Sequence, residues 1–170
     1  MEDRRSFFDT MSGDVREGQV MAAGEAVSES GNSDEQREAQ EVMMALLADR
    51  LGVELHPATL HLPSGCRIEV DGCSADRTGL AEAWAHQGVP KAAQRAKVSK
   101  DAFKLAFAAR VLHTSPRMVL LFSDEAAAQP FRSDGWEASA LREFGIEVHT
   151  VTLPDAVRKA VLDAQRRQYR

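Results

Sequence analysis

Arg117-Met118-Val119-Leu120-Leu121-Phe122 constrains this chain more than any other run. Five apolar side chains in succession point alternately to both sides of an extended strand, so both faces of that strand need cover. Ser115-Pro116 separates it from the helical pattern upstream. The chain has 170 residues, enough for one domain plus a tail, with a core that needs no staples. It holds no run of about 18 apolar residues that would suggest a membrane span.

Upstream, Ser33 opens a predicted helix that closes at Gly52. Ser33-Asp34-Glu35-Gln36 fits a capping box, and acids in the first turn suit the helix dipole. Val42, Ala45 and Leu46, with Met43, Leu47 and Leu51, make the expected apolar stripe, and Glu38 and Glu41 lie on the more polar side. Three strand segments follow. The first covers 53–61 and is interrupted by Pro57, with a turn at Pro63-Ser64-Gly65. The second covers 66–72, with Ile68 and Val70 alternating onto one face and Asp71-Gly72 at its end. The third covers 80–86: Leu80, Glu82, Trp84 and His86 share one face, and Ala81, Ala83 and Ala85 share the other. Small residues there let a helix approach closely. Alanine propensity alone also allows a helix, but the short length and the Gly88-Val89-Pro90 stop favour a strand.

Residues 91–113 carry a helical period. Val98, Ala102, Leu105, Ala109 and Leu112 should face the sheet, Phe103 and Phe107 widen the stripe, and Lys97, Lys100, Asp101 and Lys104 form a neighbouring polar face. After the apolar strand come a predicted helix over 135–144, a strand over 146–153 and a last helix from Pro154 to about Gln168. The order α-β-β-β-α-β-α-β-α predicts an α/β fold: a mixed central sheet flanked by helices.

The net charge of −5 is uneven. Residues 1–40 hold ten acids and four arginines, a net −6, which leaves +1 for the remainder. Residues 1–32 show no sustained period and read as a flexible acidic tail ahead of a single domain over 33–170, with Phe7-Phe8 and Val20-Met21 as its only docking features. The slightly basic body leaves nucleic-acid binding open. Cys66 and Cys73 flank a strand without metal-ligand spacing and are expected to be reduced thiols. With no apolar signal segment after Glu2-Asp3-Arg4-Arg5, they point to a cytoplasmic location.

Chemistry concentrates between Arg67 and Lys104. Two carboxylates on neighbouring strands, Asp71 and Glu82, can share Mg²⁺ or Mn²⁺ through oxygen ligands, and such an ion activates water against a phosphodiester. A nearby lysine steadies the developing charge. The plain alternatives are an Asp71-Gly72 turn, a solvated lysine face and a core tryptophan. Glu82, set among Leu80, Ala81 and Ala83, is expected to be partly buried and to need a partner.

Over roughly residues 33–153, this order of elements, with Asp71 ending the second strand and Glu82 on the third, resembles the restriction-endonuclease-like (PD-(D/E)xK) nuclease superfamily. The resemblance implies Asp71 and Glu82 as catalytic metal ligands, with Glu38 or Glu41 of the first helix as further acids. Two positions depart from the pattern: Val70 stands where it has proline, and Trp84 where it has lysine. Some members recruit the lysine from the following helix, which nominates Lys97 for catalysis, with Lys100 and Lys91 as alternatives. Lys91, Lys100 and Lys104 are then candidate nucleic-acid contacts. The expected activity is metal-dependent hydrolysis of nucleic acid, DNA foremost. The rival is a nuclease-like module without catalysis that binds nucleic acid or a protein partner, and homodimerisation is left open. A third reading, an unrelated α/β regulatory domain, would pair Glu82 with a lysine or arginine in the core instead of setting it in a cleft.

Overall fold

The computed structural model describes residues 34–112 and 115–168. The tail over 1–32 and the capping residue Ser33 lie outside the described residues. Five strands, β1 (His56–His61), β2 (Arg67–Cys73), β3 (Gly79–Trp84), β4 (Arg117–Phe122) and β5 (Ile146–Thr150), form one sheet in sequence order. β1, β2 and β3 pair antiparallel through short turns. β3 to β4 and β4 to β5 pair parallel, which requires crossover connections. α2 (Ala92–Leu112) makes the first crossover. α3 (Glu125–Ala128), a 3₁₀ turn (Gln129–Phe131) and α4 (Trp136–Glu143) make the second. α1 (Asp34–Leu51) precedes the sheet and α5 (Asp155–Gln168) follows it.

The fold is therefore α/β with a mixed five-stranded sheet between helical layers, but the element order differs from the expected one by α3 and its 3₁₀ turn. The cause is local. Asp124 is extended (φ −148°) and its carboxylate accepts the Ala126 N–H at 2.8 Å, so a helix starts as soon as β4 ends. Pro130 then sits in the first turn of the 3₁₀ segment, where its missing N–H costs nothing. β5 is also shorter than its apolar pattern, because its partner β4 ends opposite Thr150. Val151 donates one last bond to the Phe122 carbonyl at 2.9 Å and is buried beyond the ladder.

β4 is central, and Met118 through Phe122 are all buried. Alternation sends Met118, Leu120 and Phe122 to one core, with Leu80, Trp84, Ile68 and Val70 of the neighbouring strands and Val98, Ala102 and Leu105 of α2. Val119 and Leu121 enter the opposite core, with Ala81, Ala83 and Ala85 against Ala39, Met43 and Leu47 of α1 and Val161 of α5. The alanine face of β3 is thus where α1 lies against the sheet. Two stripes differ from expectation. In α1 the inward line runs through Gln36, Ala39, Met43 and Leu47, while Leu46 is 36% exposed and Ala45 is exposed. In α2, Phe103 and Phe107 turn to solvent instead of widening the core stripe, because Val98, Ala102, Leu105 and Ala108 cover the sheet, with Ala106, Ala109, Val111 and Leu112 packed beside them. No helix among the described residues is long and apolar enough to cross a membrane.

Candidate active site

The site arises from a defect in the meander. His56 lies opposite Cys73 and Ala58 opposite Val70, so Asp71 and Gly72 together face the single residue Pro57. Proline has no N–H for the ladder, and the extra β2 residue absorbs the mismatch as a bulge. Between β2 and β3 only Gly72 with Ala81 and Cys73 with Leu80 are paired. Beyond those pairs the strands part. Side chains take over the backbone groups left behind: Asp71 Oδ2 accepts the Ala83 N–H at 2.9 Å, and Gln40 Nε2 of α1 donates to the Ala83 carbonyl at 3.0 Å.

Glu82 sits beside this gap and, sharing the parity of Leu80 and Trp84, points toward α2. It is 5% exposed. Lys104 of α2 reaches it, with Nζ 2.8 Å from Glu82 Oε1 and 3.6 Å from Asp101 Oδ1. Burial first, and then the charge of Asp71, push the Glu82 carboxyl up to about 8, with Lys104 offsetting only part of the rise. Burial likewise raises Asp101, and the charge of Asp71 adds to it. Burial pulls the Lys104 ammonium down, but Glu82, Asp101 and Asp71 outweigh it and leave it raised. Three carboxylates share one ammonium, and the cluster is short of positive charge.

Asp71 also borders a cavity of about 600 Å³ on the α1 side, with Gln40, Glu41, Met44 and His56. The β2–β3 register carried one residue further sets Asp71 opposite Glu82, and the charge of Asp71 acts on Glu82, Asp101 and Lys104 on the α2 side while Asp71 itself borders the α1-side cavity. Of the α1 acids, Glu41 lines this cavity with Asp71, whereas Glu38 does not. On the α2 side, Asp101 and Lys104 line a groove of about 790 Å³ together with Arg67, Lys100 and Phe103. Through it the acid–lysine cluster meets solvent.

Lys97, the lysine that the sequence nominates for catalysis, is exposed and lies 5.5 Å from the centroid of the Trp84 ring. Trp84 stacks in turn on His86 at 5.0 Å. Burial and the Lys97 charge hold His86 below its usual range. Lys100 is exposed on the groove, and Lys91 sits ahead of α2, its N–H donated to Gln94. Lys104, nominated only for nucleic-acid contact, is the lysine that meets Glu82. Its signal is spacing: Lys97, Asp101, Lys104 and the fully buried Ala108 follow one another at four, three and four residues, a stripe along the edge of the core-facing side of α2.

Carboxylate oxygens suit a hard divalent cation, and Mg²⁺ commonly takes one or two carboxylates and completes its shell with water and substrate phosphate. Among the described residues no group of three or more His, Cys, Asp or Glu side chains converges to hold a metal by protein donors alone. Burial and the charge of Asp71 raise both Glu82 and Asp101, and a cation beside Lys104 would relieve that excess negative charge. No protein-family model, curated protein or solved structure matches the chain.

Proposed function

We propose that the chain is a metal-dependent nuclease that hydrolyses phosphodiester bonds, of DNA foremost, at the gap between β2 and β3. The observation that carries the reading is the buried Glu82 carboxyl, lifted to about 8 by burial and by Asp71 and paired at 2.8 Å with Lys104, which lines the α2-side groove. A group strongly perturbed by desolvation and a specific charge partner beside a cleft is a candidate for a functional site. Asp71 and Glu82 would hold Mg²⁺ or Mn²⁺, and the bound ion supplies an activated water and offsets charge on the phosphate. Asp71 is fixed by the Ala83 N–H, so one oxygen is anchored and the other lies outside that bond. The Lys104 ammonium, balanced between Glu82 and Asp101, is positioned to steady negative charge on a phosphate oxygen. Lys100 and Arg67 on the groove supply cations for the flanking phosphates.

The same ion pair favours a second reading. Glu82 does find a lysine partner and is nearly sealed, the pairing expected of an α/β domain unrelated to nucleases, which would bind a partner without cutting. The decisive assay incubates plasmid, linear duplex and single-stranded DNA with the full chain in Mg²⁺ or Mn²⁺. It includes Glu82→Gln, Asp71→Asn, Lys104→Met and Lys97→Met. Cleavage abolished by the first three substitutions, with folding retained, supports catalysis at this gap; loss with Lys97→Met but not Lys104→Met would move the lysine role to Lys97. No cleavage by the wild type, together with no calorimetric Mn²⁺ binding in the presence of DNA, leaves the non-catalytic module.

A further inference from the structure

The groove that leads to Lys104 is flanked by aromatic rings that the fold does not use. Phe103 is 72% exposed and Phe107 41% exposed, at i and i+4 on the outward side of α2. Phe103 also borders an adjoining apolar hollow of about 210 Å³, whose rim carries Trp136 at 71% and Phe144 at 56% exposure. Four large exposed aromatics, two on α2 and two at the ends of α4, border the groove and the hollow that meet at Phe103, a patch of the kind that marks a binding surface. The patch is not purely apolar. Arg67 and Lys100 line the groove with Phe103 and Phe107, are exposed, and have no ion-pair partner among the described residues.

We infer that this groove binds single-stranded nucleic acid, with unpaired bases stacking on Phe103 and Phe107 while Arg67 and Lys100 hold the adjacent phosphates. Stacking on a side chain needs a free base face, and in a duplex those faces are already covered by neighbouring base pairs. Cations alone would serve duplex and single strand alike; rings interleaved with cations favour the strand whose bases can splay. A purely protein-binding patch would leave the two unpaired cations unexplained. On α2, Arg95 is paired with Glu137 and Lys104 with Glu82 and Asp101, so the cations left for a polyanion at the groove are Lys100 and Arg67, which share its lining with Glu69 and Asp101. The inference rests on the nuclease reading for its location and names the substrate class of that site: single strands, or unpaired ends and flaps.

The test is fluorescence anisotropy of the full chain with a labelled twelve-nucleotide oligothymidylate and a twelve-base-pair duplex, in EDTA so that nothing is cut. The wild type should bind the single strand at least tenfold tighter than the duplex. Phe103→Ala and Phe107→Ala should each weaken single-strand binding about tenfold, Phe103→Tyr should retain it, and Lys100→Ala should flatten its salt dependence. Trp136, the exposed one of the two tryptophans, should be quenched as bases occupy the patch. Equal or tighter duplex binding, or unchanged single-strand binding in both alanine variants, overturns the inference. So does a concentration-dependent dimer that Phe103→Ala dissolves while no oligonucleotide binds, since a second copy then occupies the patch. The two readings fail separately. Single-strand binding without cleavage in Mg²⁺ or Mn²⁺ removes the nuclease and keeps this site; duplex cleavage indifferent to Phe103 and Phe107 keeps the nuclease and removes this site.

Discussion

Replacing Glu82 by Gln keeps the shape of the side chain and deletes its titration, which makes the pH dependence of stability a direct reading of the buried acid. Glu82 stands at about 8 in the folded chain against an ordinary 4.5. A native value raised in this way means that folding favours the protonated form. The group's contribution to stability is complete below pH 4.5 and is lost progressively as pH rises toward 8. At about 1.4 kcal/mol for each pH unit between the two values, the loss from pH 5 to pH 9 amounts to about 4 kcal/mol. For a domain whose whole stability is about 5–15 kcal/mol, that loss is easily measured. Urea unfolding in EDTA, at pH 5, 6, 7, 8 and 9, should show the two proteins nearly equal at pH 5, with the Gln variant ahead by several kcal/mol at pH 9. Titrating groups outside the cluster of Glu82, Asp71, Asp101 and Lys104 are common to both proteins and cancel in the difference. Parallel stability curves, or a wild type that gains on the variant as pH rises, would refute the assignment of a desolvated Glu82 held beside Asp71. A repeat in millimolar Mg²⁺ adds a check on function: a cation bound at the gap should recover part of the alkaline loss in the wild type and none in the variant.

Two further outcomes follow from the packing. A Cβ added at Gly72 would lie 2.7 Å from Met44 Sδ, and 3.4 Å from both Ala81 Cβ and Leu55 Cβ. Gly72→Ala should therefore cost about 1–2 kcal/mol in urea unfolding, less in a Met44→Ala background where the thioether is gone; equal costs in both backgrounds would exclude this clash. On the far edge of the sheet, the hydrogen bonds from Arg117 hold Glu147 down at about 2. This depressed value stabilises the fold above pH 4.5, and the contribution is lost as pH falls through about 2. NMR titration of Arg117→Met should show the Glu147 carboxyl rising toward 4.5, with a stability cost under about 1 kcal/mol at neutral pH because both side chains are largely solvated.

The sheet was legible because its patterns are local. The apolar run at 117–122 is β4 to the residue, and the alternation of Glu82 with Ala81 and Ala83 correctly divides β3 between two cores. The outward turn of Phe103 and Phe107 was not legible, since period alone cannot tell a wide core stripe from a narrow one beside an exposed aromatic patch. α3 was missed because its four residues are too few to show a period; its signal is the Asp124 cap. At the site, Asp71 and Glu82 could be named from strand order, but the bulge that aims Asp71 into the gap depends on which residue Pro57 faces across the meander. That is a tertiary register, invisible along the chain.

The lysine illustrates the same limit and shows how the fold resolves it. Two residues beyond Glu82 on the strand, position 84 shares its face, so a lysine there would lie beside the acid. Trp84 fills that place with a buried ring instead. The face is nevertheless roofed by α2, and a helix side chain can reach the acid from above. Lys97 comes down over the Trp84 ring itself, while Lys104, two turns further along, reaches past it to Glu82. The tryptophan occupies the strand position and offers its π-face to the first helix cation, and the second helix cation takes the carboxylate. A Trp84→Lys substitution would therefore bring a second ammonium to Glu82 from the strand. It should lower the Glu82 carboxyl from about 8 toward the ordinary range and flatten the alkaline loss of stability in the same urea series. An unchanged pH profile in a folded Trp84→Lys protein would mean that position 84 does not reach the acid, and that the equivalence of strand and helix lysines at this gap is mistaken.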